Sequence, residues 1–341
     1  MIKEAIAKIV TGQHLDEAQM TAVMQEIMSG QATDAQIGSF ITALRMKGET
    51  IDEITGAARV MREKAAVVDT GIDGLLMDIV GTGGDGSGTF NVSTTTAFVV
   101  AGAGVPVAKH GNRAVSSRCG SADVLEALGA DLTMPPERMA DCVRRVGIGF
   151  LFAPMLHGAM KYAIGPRREL GIRTVFNILG PLTNPARPNV QLTGVFAKEL
   201  VVPIAEVLIR LGMKRALVVW GEGSMDELTV TGTSHLADAH DGKLESYAVT
   251  PEELGLRRAD FTEIKGGATA AESAEQVRAV LNGASGAKSD MVLLNAGAAF
   301  MAAGKAADLH EGIAVARKII ASGAALRKLE DFAAFCKKTA A

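Results

Sequence analysis

The stretch that most constrains this chain is an apolar segment that opens directly into glycine. Leu75-Leu76-Met77-Asp78-Ile79-Val80 reads as a buried strand bounded by a turn. It runs into Gly81-Thr82-Gly83-Gly84-Asp85-Gly86-Ser87-Gly88, where five of eight residues are glycine. So bare a loop can take positive φ and let backbone N–H groups approach an anion, while Ser93 and the threonines after it can cap the next helix. The guest it implies is a phosphate, and the alternative is a glycine-rich surface turn. Gly81-x-Gly83-x-x-Gly86 formally matches the dinucleotide fingerprint, yet no Asp or Glu occurs from Gly86 to Ala122 to hold a ribose. That window instead carries three cations, Lys109, Arg113 and Arg118, beside His110, in a chain of net charge −3. No Gly-Lys-Ser or Gly-Lys-Thr is present, so a P-loop is excluded.

Residues 1 to about 66 read as short amphipathic helices. Thr33-x-x-Gln36 and Thr50-x-x-Glu53 are capping boxes, and Ile37, Phe40, Ile41, Leu44 and Ile51, Ile54, Ala58, Met61 have helical spacing. Their apolar face would cover the rest of the chain or a second copy of itself. After a polar link, residues 67–74, strands alternate with helices. Strands are read at 76–80, 105–108, 150–152, near 190–195 and at 215–220; helices at about 93–103, from Ser121, from Pro135 to Val146, and at 199–211. Such alternation predicts an α/β fold with a mostly parallel central sheet flanked by helices, and ligands at the carboxyl ends of the strands. Beyond residue 251 the chain is Ala-rich and helical, with Met291-Val292-Leu293-Leu294 as a buried segment of either type.

Hydrophobic residues make up 48% of the chain and aromatic ones only 4%, which suits a helix-rich core of Ala, Val, Leu and Met. The charge balance gives no basic field for nucleic acid. Three widely spaced cysteines suggest neither a disulfide framework nor a zinc site. With no signal-peptide pattern and no long apolar span, a cytoplasmic protein away from membranes is the expectation.

The second loop, Lys109-His110-Gly111-Asn112-Arg113-Ala114-Val115-Ser116-Ser117, offers a cation, an imidazole, an amide and hydroxyls that suit a phosphate ester; a solvated polar loop is the alternative. Asp226-Glu227 follows the strand ending at Trp220. Adjacent carboxylates converge on one ligand only from a loop, where they would suit a magnesium ion that a diphosphate also binds; a plain acidic turn is the alternative. Arg167 and Arg168 read as the start of a helix initiated by Pro166, where cations oppose the helix dipole, so a carboxylate ligand or a salt bridge should reward at least one of them. His157 reads as a ligand contact or a packing residue. No nucleophile–base constellation is legible, which suits a reaction whose leaving group needs positioning and charge stabilisation more than a strong base.

Gly81-Thr82-Gly83-Gly84-Asp85, Asn91-Val92-Ser93-Thr94, the second loop, Gly120-Ser121-Ala122-Asp123, Gly165-Pro166-Arg167, Asn177-Ile178-Leu179-Gly180-Pro181-Leu182-Thr183-Asn184-Pro185 and Met225-Asp226-Glu227 together resemble the anthranilate phosphoribosyltransferases of tryptophan biosynthesis, in order and over essentially the whole chain. The resemblance implies transfer of the phosphoribosyl group from 5-phosphoribosyl 1-diphosphate to anthranilate, with Mg2+. It implies a helical domain, residues 1–70 joined by a later helical segment near 165–185, beside an α/β domain, 71–341, and a homodimer meeting through the helical domain. By motif, Gly81, Gly84, Asp85, Thr89, Asn91, Val92, Ser93, Thr94, residues 109–117 and Ser121 would hold the diphosphate donor. Ser93, Asp226 and Glu227 would ligate Mg2+. Gly81, Asn112 and Arg167 would contact anthranilate, and Lys109 and Asn112 would position the transition state. The pattern departs at Leu156 and Gly158, where the family often carries His and Pro, and at Arg118-Cys119. The length leaves no room for a fused amidotransferase domain. A pyrimidine nucleoside phosphorylase of similar architecture and a non-catalytic phosphate-binding homologue are the competing readings.

Overall fold

Reciprocal caps begin the chain. In a computed structural model, which describes residues 1–114 and 119–337, four helices come first: α1 (Ile2–Ile9), α2 (Glu17–Met28), α3 (Asp34–Lys47) and α4 (Ile51–Lys64). Thr33 with Gln36 and Thr50 with Glu53 form the capping boxes read from the sequence. Asp16 with Gln19 forms a third, before α2, unread because Asp stands where the pattern looks for Ser or Thr. Glu53 is fully buried and accepts from Lys47 Nζ at 2.9 Å, Leu15 N–H at 2.9 Å and Thr50 N–H at 2.8 Å, so one carboxylate ties α4 to α3 and to the α1–α2 link.

The alternating part follows as β1 (Met77–Gly81), α5 (Val92–Gly102), β2 (Val107–Gly111), α6 (Ser121–Ala127), α7 (Pro136–Val146), β3 (Ile148–Phe152), α8 (Ala153–Leu156), α9 (Lys161–Leu170), α10 (Val175–Leu179), β4 (Val190–Gly194), α11 (Val201–Arg210) and β5 (Arg215–Gly221). A hairpin, β6 (Ser234–His240) and β7 (Lys243–Val249), closes one edge, and α12 (Ala270–Leu281), α13 (Ala287–Ala302), α14 (Leu309–Ala321) and α15 (Ala324–Cys336) complete the chain. One sheet of order β3-β2-β1-β4-β5-β6-β7 results, parallel from β3 to β5 and antiparallel through the hairpin. The architecture is a small N-terminal helical domain and a larger α/β domain with a mostly parallel sheet flanked by helices.

Two apolar cores lie on its two faces. One packs α5, α13 and α15 through Phe98, Phe300 and Phe332. The other joins α1–α4, α9 and α10 to α11 and the opposite side chains of β5 and β6, such as Ala216, Val218 and Ala237. No helix among the described residues is long and apolar enough to cross a membrane.

Two expectations change and one open reading closes. β2 runs on through Lys109, His110 and Gly111, which the sequence reading put in a loop, because pairing with β3 buries them in register, Lys109 opposite Phe150. Ser93 does not cap α5: it lies inside the first turn, and Asn91 is the boundary residue, its amide donating to the Cys119 carbonyl at 3.1 Å. Met291–Leu294 resolves as part of α13. The β6–β7 hairpin was unread because β7 is polar and exposed; its signal was Asp241-Gly242, both at positive φ as a tight hairpin turn requires.

Candidate active site

β1 lies between β2 and β4, so successive crossovers leave it in opposite directions and open a crevice at its carboxyl end. The glycine loop, the end of β2 and the loop after β5 meet there around a cavity of about 590 Å³. Asp226 enters at close range. A Cβ on Gly81 would overlap its carboxylate and one on Gly194 its carbonyl, so β1 and β4 must both end in glycine. The acid pair sits on a loop, as convergence requires. Asp226 Oδ2 accepts the Gly83 N–H at 2.7 Å, and Glu227 Oε1 accepts the Ser93 N–H at 3.2 Å, taking over the capping of α5.

Both carboxylates line the cavity and are half-buried. Burial, then repulsion from Asp85, pushes Asp226 up to about 7. Burial, then Asp226 and Asp85, pushes Glu227 well above the ordinary range. Such mutually repelling, desolvated carboxylates fit a divalent cation. No cage of three or more His, Cys, Asp or Glu side chains is present among the described residues, consistent with an ion that takes its other ligands from water and phosphate.

Lys109, 3% exposed, passes under β1 and donates to the Ile79 carbonyl at 2.6 Å and to Ser93 Oγ at 3.2 Å. Burial lowers its pKa to about 8 against the pull of Asp78, Glu227 and Asp226, so it stays protonated at neutral pH. Asp78, fully buried and raised to about 6 by that burial, accepts from Asn184 Nδ2 at 2.8 Å and from the His110 N–H at 3.1 Å. The His110 ring is held by the Gly180 carbonyl at Nδ1, 3.2 Å, and by His157 Nε2 at its own Nε2, 3.1 Å. A carbonyl only accepts, so His110 carries its proton on Nδ1 and His157 donates from Nε2. Burial lowers both rings, His110 to about 3 with His157 assisting and His157 to about 4, so both are neutral.

Gly81, Gly84, Asp85, Thr89, Asn91, Ser93, Lys109, His110, Gly111, Asn112, Arg113, Ala114 and Ser121 all line the cavity. Val92 and Thr94 lie behind its wall, Val92 in the core and the Thr94 hydroxyl bonded to Ser121 Oγ at 2.9 Å. The Arg113 charge is answered by Glu126 at 2.6 Å and Asp123 at 2.9 Å. Val115, Ser116, Ser117 and Arg118 lie outside the described residues.

Arg167 faces the cavity from another direction than the one anticipated. Pro166 lies inside α9 and not at its start, because the helix begins five residues earlier, at Lys161; Arg167 and Arg168 occupy its last turn, where cations suit the dipole. Arg167 is half-buried, its guanidinium 5.1 Å from the Phe176 ring centroid, and pairs with no carboxylate among the described residues. Leu156 is core, Gly158 lines the cavity, and His157, read as either ligand contact or packing, does both. Asp78, Asn184 and Phe176 had no assigned role; Asn177–Pro185 was the legible signal for this wall, since Gly180, Pro181 and Thr183 also line it.

A glycine-rich loop at the switch point of an α/β sheet, with a small helical domain beside it, is the arrangement of a two-part glycosyltransferase. Models of a glycosyl transferase family match accordingly, the helical bundle domain over residues 3–65 and the a/b domain over 73–326. The chain belongs to the anthranilate phosphoribosyltransferase family. It is 66% identical over 336 residues to the anthranilate phosphoribosyltransferase of Desulfotalea psychrophila, covering 98% of this chain and 97% of that one. The crystal structure of the Thermus thermophilus enzyme superposes with a TM-score of 0.91 at 48% identity, covering 97% and 99% of the two chains. The Saccharomyces cerevisiae enzyme in complex with PRPP and Mg superposes at 0.88 and 29% identity, covering 98% and 97%.

Proposed function

We infer that this chain transfers the phosphoribosyl group of 5-phosphoribosyl 1-diphosphate to the amine of anthranilate, in the tryptophan pathway and in the cytoplasm. One observation carries the reading: a single cavity has a glycine loop and an acid pair on one wall and, on another, a guanidinium over an aromatic ring that no carboxylate among the described residues answers. The C–O bond from the anomeric carbon to diphosphate breaks, a C–N bond to anthranilate forms, and the amine gives up one proton.

The glycine-loop N–H groups and the Lys109 ammonium receive the charge that develops on the departing diphosphate. Ser93, Asp226 and Glu227 would hold Mg2+, which when bound neutralises diphosphate charge. Lys109 is kept protonated and aimed by Ile79, Ser93 and Asp78, so it requires no reorganisation as the bond breaks. Arg167 pairs with the anthranilate carboxylate, Phe176 holds the guanidinium plane, and Asn112 and Gly81 bound the ring's approach to the anomeric carbon.

In this reading the domains divide at about residue 70, with 165–185 returning to the helical part, and two copies meet through that part. Support for the dimer comes from Val10, just past the end of α1, and Met46 on α3, 63% and 84% exposed. The deciding assay follows anthranilate fluorescence with the diphosphate donor, with and without Mg2+. Magnesium-dependent loss of signal is the expected result; a folded protein that binds the donor and leaves anthranilate unchanged overturns the acceptor assignment.

A further inference from the structure

A second cavity of about 340 Å³ lies between residues 86–91 of the glycine loop and the first turn of α12, and the transfer step leaves it unused. Its far wall is Lys265, Gly266, Gly267 and Ser273. That wall is stitched to the loop: the Phe90 N–H donates to the Ile264 carbonyl at 3.1 Å, and the Gly266 N–H to the Gly88 carbonyl at 3.0 Å. A Cβ on Gly266 would stand 2.9 Å from the Thr89 carbonyl oxygen, and one on Gly267 2.6 Å from the Ser273 nitrogen, so only glycine threads between loop and helix.

The wall holds donors without acceptors. Ser273 is 1% exposed and its hydroxyl meets no oxygen or nitrogen partner among the described residues, only the Cys119 sulfur, a weak acceptor. The buried Gly267 N–H meets no acceptor among the described residues. Lys265 is exposed at the rim and pairs with no carboxylate among them, and no acidic side chain lines the cavity. The N-terminus of α12, a helix of 12 residues, adds a positive dipole end, although Thr269 Oγ1 caps it and the Glu272 carboxylate in its first turn accepts the Ala268 N–H at 2.7 Å. An uncompensated buried hydroxyl and N–H beside a cation is costly unless an anion completes them.

We propose that this cavity is a second phosphoryl-oxyanion subsite, in which Lys265, the Ser273 hydroxyl and the Gly267 N–H bind a phosphate group. It deepens the phosphoribosyl-transfer reading and rests on it for its role. Thr89, Asn91 and Ser87 face both cavities, so the occupant is either a phosphate of the donor or free inorganic phosphate or diphosphate held beside it.

The test titrates orthophosphate and inorganic diphosphate calorimetrically, with Mg2+, into wild type, Lys265→Gln and Ser273→Ala. Lys265→Gln should weaken binding about tenfold and Ser273→Ala about threefold, as loss of a charge-assisted and of a neutral hydrogen bond predicts. Thermal unfolding at the wild-type temperature shows that Lys265→Gln, a surface change, remains folded. Repeating the titrations with 5-phosphoribosyl 1-diphosphate already bound separates the sources: phosphate still binds if the subsite serves the free ion and no longer binds if the donor fills it. Equal affinities of wild type and Lys265→Gln for both anions overturn the proposal. Wild-type anthranilate turnover, measured alongside, distinguishes failure of the subsite from failure of the transfer reading.

Discussion

Arg167 carries a charge that nothing else in the described protein answers, and burial lowers its pKa with no carboxylate to oppose it. A ligand carboxylate removes that cost, so Arg167→Ala should raise the anthranilate KM about tenfold or more with a smaller effect on the donor. Steady-state kinetics against both substrates check this, and equal effects on the two would count against the assignment. Asp226 and Glu227 present the mirror case, anionic groups crowded together and desolvated. Asp226→Asn with Glu227→Gln should shift the Mg2+ titration of activity to higher concentration. The same change should stabilise the metal-free protein above pH 7, by on the order of 1 kcal/mol, because it removes ionised groups whose folded pKa values are raised. Metal-free melts of the double variant test that second half independently of turnover.

Among the elements, the helical bundle depends on one buried ion pair, Lys47–Glu53, whose side chains are 4% and 0% exposed. Glu53→Ala removes the counter-charge of an ammonium that then keeps only His14 Nδ1 and the Gly48 carbonyl, and it frees the Leu15 and Thr50 N–H groups, so denaturant unfolding should report a loss of about 3 kcal/mol. Where β2 meets the turn after α8, the two histidines pair as neutral rings. Unfolded, they titrate at the ordinary 6.5; folded, near 3 and 4. The unfolded chain therefore binds more protons, and this stability is complete above pH 6.5 and is lost as pH falls towards the folded values, at about 1.4 kcal/mol per pH unit per ring. Asp78, Asp226 and Glu227, raised in the fold, have the opposite sign. The stability difference between wild type and His157→Gln isolates the His157 ring, since His110 is present in both: it should shrink between pH 6 and 4.5, and a constant gap would contradict neutral burial.

At the scale of the whole molecule, exposed Met46 and Val10 lie on the bundle and away from the crevice. For the proposed dimer, Met46→Glu should shift the mass seen by light scattering from two chains towards one, and an unchanged mass would count against this face as an interface. The capping boxes, the helical periods, the first five strands and the glycine loop were legible because each is a local pattern of sidedness or backbone freedom. So was the place of Asp226 and Glu227 on a loop, because the glycines before them are a local signal; their hold on Mg2+ belongs to the proposed function. The reach of β2 through Lys109 and His110, the His110–His157 contact and the end of α9 that bears Arg167 were not. A buried lysine is tolerated only because Asp78, from β1, and Glu227, from beyond β5, converge on it once β1 pairs between β2 and β4. The sequence by itself therefore determined the first five strands, most of the helices, the glycine loop and the place of the acid pair on a loop. Tertiary structure alone decided their common cavity, the protonation states within it and the direction from which Arg167 enters, because each of these depends on burial and on partners distant in the chain.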